Sequence, residues 1–477
     1  MKINKILLIN PPHYVSKEKM DFFPFFPLGI GYLASYLEER GFQIKIVDAF
    51  TEGYENKTEY DDKYYRIGLS DKEMLSEISS FSPDIIGISN LFSIQQFALH
   101  SMAKVIKDYN KDLKVVVGGP HVSAVPELVM SDNNVDFGVL GEGERTFLEL
   151  INALNNGGAL KDVSGITYRE NGVIKVNQDR KFIENLDEIP FPAWHLFKMD
   201  KYLNQKYSQG GAVKRHPFMT ILTSRGCPLN CFFCSGRDTW GRHIRTRSAE
   251  NVIKEIKLLH ERFGIKELII VDDNFNFDVV RLYIILDFLI KEKMDLFIDV
   301  PSGVFIPKLN KDILRKMKDA GFIRLFFPIE SGNEHVLHKI IRKPVDLDKA
   351  KELVKYCQEI NLEVVGYFIL GLPGETKEQM RDTFKLVREL RIEPHFSIAT
   401  AFPGSDLYKY AEEKGLLKSY DIDQCSDEYN INTSDWTNRE LMRFIWFERF
   451  KLNPGEILNY HILNPWRLIR GFKRLFS

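Results

Sequence analysis

Three of the chain's five cysteines stand together in Thr223-Ser224-Arg225-Gly226-Cys227-Pro228-Leu229-Asn230-Cys231-Phe232-Phe233-Cys234, while Cys357 and Cys425 stand alone. A tight, odd-numbered thiolate cluster in a reducing compartment reads as metal binding rather than disulfide formation. Three thiolates on one loop can hold three irons of a four-iron cluster. The fourth iron then has no protein ligand and is open to a small molecule. The alternative is a tetrahedral zinc site with His243 as the fourth ligand.

Further polar groups fall in order along the chain: Asp272-Asp273-Asn274, Glu330-Ser331-Gly332, Ile369-Leu370-Gly371-Leu372-Pro373-Gly374-Glu375 and Pro403-Gly404-Ser405. Each has a plain reading when taken alone. Asp272 and Asp273 suit a helix cap. Glu330 could pair with Arg342, and Gly371 to Gly374 could form a tight turn.

The elements that must position these groups are short apolar runs separated by helical patterns. Over residues 216–417 the strand candidates are Phe218–Thr223, Glu267–Val271, Phe297–Val300, Ile323–Ile329, Glu363–Leu370 and Glu393–Ala399. Helical spacing over Ala249–Phe263 and Asp346–Gln358 lies between them. Six such units fit a partial (β/α)6 barrel, whose active site lies at the carboxyl strand ends. The cysteine loop follows the first of these strands, where chemistry sits, and this favours the cluster over zinc.

The first 155 residues show the same alternation. Runs at Ile6–Ile9, Ile44–Val47, Ile85–Ser89, Val115–Val117 and Phe137–Leu140 predict a parallel, doubly wound Rossmann-like sheet. Their carboxyl ends carry Asn10-Pro11-Pro12-His13, Ser89-Asn90-Leu91, Gly118-Gly119-Pro120-His121 and Gly141-Glu142-Gly143-Glu144, where such sheets bind ligands. Residues 50–80 read as a lid or surface excursion. Residues 156–215 read as a linker with a short hairpin around Asn171-Gly172. Residues 418–477 read as a helical C-terminal segment.

Composition sets the outer bounds. At about 150 residues per domain, 477 residues suggest roughly three domains. Lys plus Arg number 65 against 66 for Asp plus Glu, so the charge of −1 exerts no global pull towards nucleic acid. Apolar runs stay below the ~18 residues of a membrane span, and the start lacks a signal peptide's apolar region. The expected location is cytoplasmic.

The Cys227-x-x-x-Cys231-x-x-Cys234 motif, with Phe233 before its last cysteine, resembles the cluster motif of the radical SAM superfamily. The resemblance implies that Asp272 and Asp273 contact the amino group of SAM, Glu330 and Ser331 its ribose, and Ile369 and Gly371 the region near adenine. The first 155 residues resemble the cobalamin-binding domain of one radical SAM subgroup. Ser89-x-Leu91, Gly118-Gly119 and Glu142-Gly143-Glu144 carry that likeness. Glycines there let the backbone approach a large ligand closely. Asn10, Pro11 and His121 complete the implied cobalamin contacts. The Asp-x-His-x-x-Gly motif, whose histidine binds cobalt from below, is missing, so His13 and His121 are read as shaping or tail-contacting residues. A nucleotide-type Rossmann unit would favour Gly-x-Gly-x-x-Gly after the first strand, and none stands there.

The resemblance implies a cobalamin-dependent radical SAM enzyme with a 4Fe-4S cluster, SAM and cobalamin. The reduced cluster would cleave SAM to a 5′-deoxyadenosyl radical, which takes hydrogen from an organic substrate. Methyl transfer from methylcobalamin to carbon would follow. Oxidative cyclisation or ring rearrangement is the runner-up, and a non-catalytic cobalamin- or zinc-binding sensor the third reading. Implied partners are a small-molecule substrate and an electron donor such as flavodoxin or ferredoxin. At the end, Leu468, Ile469, Phe472, Leu475 and Phe476 share one helical face with basic residues around it. That pattern suits peripheral membrane contact and a lipid-like substrate, or a terminal helix packed on its own protein.

Overall fold

The computed structural model describes residues 2–17, 23–417, 431 and 436–452. Ile6, Leu7, Leu8 and Ile9 are all buried. Their strand, Lys5–Asn10, has neighbours on both sides and cover on both faces, so its sequence shows no polar alternation. Ile6 and Leu8 join one core, and Leu7 and Ile9 another on the opposite face. Helix Leu28–Glu38 covers the first face through Ile30, Ala34 and Leu37. Helices Asp71–Phe81 and Gln96–Tyr109 cover the second through Met74, Ile78, Leu99, Met102 and Ile106. Each buried Leu, Ile or Met side chain among them contributes about 1.5–3 kcal/mol.

The sheet has seven strands. Gln43–Asp48, Lys5–Asn10, Ile85–Ser89, Lys114–Gly118 and Phe137–Val139 run parallel in that spatial order. The hairpin Ile166–Glu170/Val173–Val176 extends the sheet antiparallel beyond Phe137–Val139. That corrects its reading as part of a linker: Ile166 and Tyr168 are buried against the same core, so the hairpin belongs to the sheet it borders. The surface excursion at 50–80 is also ordered differently. Lys57–Glu59 and Tyr64–Ile67 build a small antiparallel sheet with His13–Ser16.

The barrel strands are Phe218–Ile221, Glu267–Ile270 and Phe297–Asp299, then Arg324–Glu330, Glu363–Leu370 and Glu393–Ile398. Each set of three is parallel, and the parallel bridge Ile298 to Phe322 links the sets. Trp194, Phe197 and Tyr202 join the core that continues from the N-terminal sheet into Met219 and Ile221 of the barrel. Helix Asn438–Leu452 closes the other end, with Leu441 and Ile445 packed on Leu370, Met380 and Phe384. The amphipathic segment Leu468 to Phe476 lies outside the described residues.

Candidate functional site

The first barrel strand delivers the chain to a tightly bonded turn. Asp272 is fully buried and accepts hydrogen bonds from Thr223 N at 2.5 Å and Ser224 Oγ at 2.6 Å. Gly226 then turns the chain at φ +99, where a side chain would meet the His243 carbonyl oxygen at 2.2 Å. The cysteine loop is tied down in the middle. Phe232 N donates to Ile341 O at 2.9 Å, and Leu407 N donates to Phe232 O at 2.8 Å. Cys227, Cys231 and Cys234 line one cavity of about 510 Å³ with Phe233. Burial pushes the Cys231 thiol up to about 12, with the nearby Lys343 charge opposing it. Metal loading there must displace protons. Among the described residues no three His, Cys, Asp or Glu side chains converge as ligands of a single ion. Thiolates of a four-iron cluster bind three different irons and need not converge.

The fourth barrel strand ends in a register shift between Pro328 and Glu330. Glu330 has φ +71, and such a bulge re-aims a side chain. Its carboxylate lines the cysteine cavity and lies 2.7 Å from Lys343 Nζ. Asp273 and Ile369 line the same cavity. Burial in the cleft pushes the Asp273 carboxyl up to about 6, and the Asp272 charge adds to the effect. Tyr367, His395 and Ser397 complete the inner wall.

Three residues assigned to SAM stand elsewhere. Asp272 does not line the cavity, because its carboxylate serves Thr223 and Ser224. Ser331 is fully buried, accepting from Asn333 N at 3.2 Å, with Thr383 Oγ1 3.3 Å away. Gly371, at φ +79, donates its N–H to Glu375 at 2.8 Å and packs on Leu441. Two plain readings also fall. The cap of helix Val279–Glu292 is Asp278, which accepts from Arg281 N at 3.0 Å. Arg342 bonds Asp406 at 2.6 Å and leaves Glu330 to Lys343.

A second cavity, of about 420 Å³, lies at the carboxyl ends of the N-terminal strands. Asn10, Pro11, Ser89, Leu91, Gly118, Gly119, Glu142, Gly143 and Glu144 all line it. His121 does not: it is buried, with Nδ1 3.0 Å from Ser93 Oγ. His13 lines the wall and stacks on Phe50 with ring centres 4.0 Å apart. Burial pushes both imidazoles down to about 3, so both are neutral near pH 7. Glu142 and Glu144 are not free to serve a ligand through charge. Glu142 accepts from Ile183 N at 2.7 Å, Arg225 Nη1 at 2.9 Å and Arg245 Nη1 at 2.7 Å. Glu144 accepts from Arg225 Nη2 at 2.7 Å. Burial pushes the Glu142 carboxyl up, but Arg225, the Ile183 N–H and Arg245 together outweigh it and hold it below its ordinary value.

The two cavities share part of their lining: Gln209 and Ser302 border both. Ser302 Oγ donates to Val271 O at 3.3 Å. Sequence reasoning missed Gln209, Ser302, Arg225 and Lys343. Arg225 had a signal, since it stands two positions before Cys227. Gln209 lies in the two-residue turn of the short hairpin Tyr207–Ser208/Gly211–Ala212, and nothing in that stretch marks it as facing a cavity.

The Radical SAM superfamily model matches residues 221–387, and the B12 binding domain model matches residues 23–151. The chain is 33% identical over 485 residues to an uncharacterized methyltransferase of Pyrococcus horikoshii, covering 100% of this chain and 99% of that protein. The chain belongs to the cobalamin-dependent radical SAM enzymes. A cytidylyl-2-hydroxyethylphosphonate methyltransferase of Streptomyces wedmorensis is 31% identical over 446 residues, with 87% of this chain and 83% of that one covered. The fold is that of the radical SAM methyltransferase TsrM of Kitasatospora setae, at TM-score 0.70 and 18% identity over 87% of this chain and 77% of that one. This radical SAM enzyme therefore uses a 4Fe-4S cluster, SAM and cobalamin. Among the described residues no helix is long and apolar enough to cross a membrane.

Proposed function

We propose that the enzyme moves a methyl group from SAM, by way of cobalamin, to a carbon atom of a small organic substrate. The shared wall at Gln209 and Ser302 is the observation that carries this reading. A carbon activated in one cavity has to meet a methyl donor in the other, and the two spaces adjoin there. The likeness to methyltransferases, at 33% identity over the full chain and 31% over 87% of it, supports methylation over cyclisation.

In this reading Cys227, Cys231 and Cys234 hold the cluster, while Asp273, Glu330, Lys343, Phe233 and Ile369 surround SAM. The N-terminal strand ends hold cobalamin through Asn10, Ser89, Leu91, Gly118 and Gly119. When bound, the cluster supplies the electron for reductive SAM cleavage and cobalamin supplies methyl-carrying chemistry. The protein's own part is to orient the reactants and exclude water. Tyr367 is fixed by donating to Pro301 O at 2.7 Å and by stacking on Phe326. It and His395 form an aromatic corner, with ring centres 5.3 Å apart, against which a substrate can be oriented. An external one-electron donor of the flavodoxin or ferredoxin kind completes the scheme.

The test is anaerobic turnover of methyl-labelled SAM with reductant and cell extract. Methylation predicts labelled organic product together with 5′-deoxyadenosine and S-adenosylhomocysteine. Formation of 5′-deoxyadenosine and a dehydrogenated product with no label transferred would move the assignment to cyclisation.

A further inference from the structure

The cysteine loop is flanked on both sides by residues of the other cavity. Arg225 stands before Cys227, and Thr239 and Trp240 follow Cys234. All three line the cavity at the N-terminal strand ends, while the cysteines line its neighbour. Arg225 reaches out of the barrel to the start of helix Gly143–Asn156, with Nη1 2.9 Å from its N-cap Glu142 and Nη2 2.7 Å from Glu144. Its guanidinium lies 4.8 Å from the centre of the Trp240 ring. Arg245 pairs with Arg225 in the short antiparallel bridge Ser224–Arg225/Arg245–Thr246 and adds a contact to Glu142 at 2.7 Å. Two carboxylates face two guanidinium groups, so this buried set is balanced in charge. A buried ionic set of this kind is strict about geometry, because a lost partner leaves an unpaired buried charge. A planar guanidinium serves two carboxylates only while both are held in place.

We propose that the Arg225–Glu142–Glu144 clamp couples the two cofactor sites, so that filling one cavity fixes the geometry the other requires. This rests on the cofactor placements proposed above. A ligand seated against Gly143 and Glu144 bears on the first turn of helix Gly143–Asn156, which carries the carboxylate that holds Arg225. Arg225 and the sterically locked Gly226 then fix the stem that carries Cys227. Coupling between binding sites is reciprocal by linkage. Arg225, Glu142 and Glu144 are positioning residues in this scheme.

The test uses the full-length protein, titrated anaerobically with hydroxocobalamin before and after cluster reconstitution. Wild-type protein should bind at least about fivefold more tightly with the cluster present, the low end of ordinary coupling. Its iron should also pass to a chelator more slowly once cobalamin is bound. Glu144→Gln half-unpairs Arg225, and Arg225→Lys cannot span both carboxylates. Both should bring the affinity ratio towards one while circular dichroism still reports a folded protein. Equal hydroxocobalamin affinity with and without the cluster in the wild type overturns the proposal with no variant needed. So does a ratio retained in both variants. Wild-type protein that takes up no cobalamin or no iron overturns the cofactor placement itself.

Discussion

Lys343 Nζ lies 2.7 Å from the Glu330 carboxylate, on the wall of the cavity that also holds the three cysteines. Burial works against the Lys343 charge, but Glu330 and Cys231 outweigh it and raise its pKa. The pair thus sets an ammonium and a carboxylate beside the cysteine loop, Glu330 from the bent end of strand Arg324–Glu330 and Lys343 from the segment that follows Val336–Ile341.

Glu330→Ala should weaken SAM binding by about tenfold or more, the worth of one hydrogen bond to a charged group. Iron content should not change. Equilibrium dialysis with SAM on reconstituted protein checks this, and unchanged affinity removes Glu330 from the SAM site.

The neighbours Asp272 and Asp273 should behave oppositely. Asp272→Asn places an amide against Thr223 and Ser224, and should cost about 2–3 kcal/mol of stability. Asp273→Asn should cost under about 0.5 kcal/mol and act instead on SAM affinity. Urea unfolding of both variants distinguishes the roles. Equal loss of stability would merge them.

Glu375 accepts from Gly371 N at 2.8 Å and Leu372 N at 3.2 Å. Burial pushes its carboxyl up to about 7. The folded state therefore holds this proton more tightly than the unfolded chain does. Its contribution to stability is fully present below the ordinary carboxylate value and is lost as pH rises through about 7. Glu375→Gln should flatten that part of the stability–pH curve. An unchanged slope between pH 4.5 and 7 in urea titrations would count against the assignment (the ordinary glutamate pKa is about 4.3).

Bound cobalt(II) should carry no protein imidazole beneath it, because His121 lies behind the cavity wall and His13 is stacked on Phe50. The electron paramagnetic resonance spectrum should lack nitrogen hyperfine splitting from a protein histidine. Splitting that disappears in His13→Ala would contradict this.

The legible part of the sequence is where one physical pattern decides the outcome. Short apolar runs such as Ile6–Ile9, bounded by turn residues, read as covered strands, and all six barrel strands fall within a residue or two of their predicted positions. The clustered cysteines lie together on one cavity wall for the same reason: their spacing leaves no other shared loop. The less legible part is the partner of each polar group. Asp272 and Asp273 are adjacent and identical in type, yet one bonds the cysteine-loop stem and the other faces the cavity. Glu142 and Glu144 meet Arg225 across 81 to 83 positions, a separation no local pattern carries. The Glu330 bulge, the unlined position of Ser331 and the inward turn at Gln209 depend in the same way on long-range packing.

The most direct test of the account is metal analysis of anaerobically reconstituted protein beside its Cys227→Ala/Cys231→Ala/Cys234→Ala variant, both loaded with hydroxocobalamin. The wild-type chain should hold about four irons and one cobalt, and the variant cobalt without iron. Stoichiometric zinc in place of iron in the wild type, or iron that survives loss of all three cysteines, would contradict it.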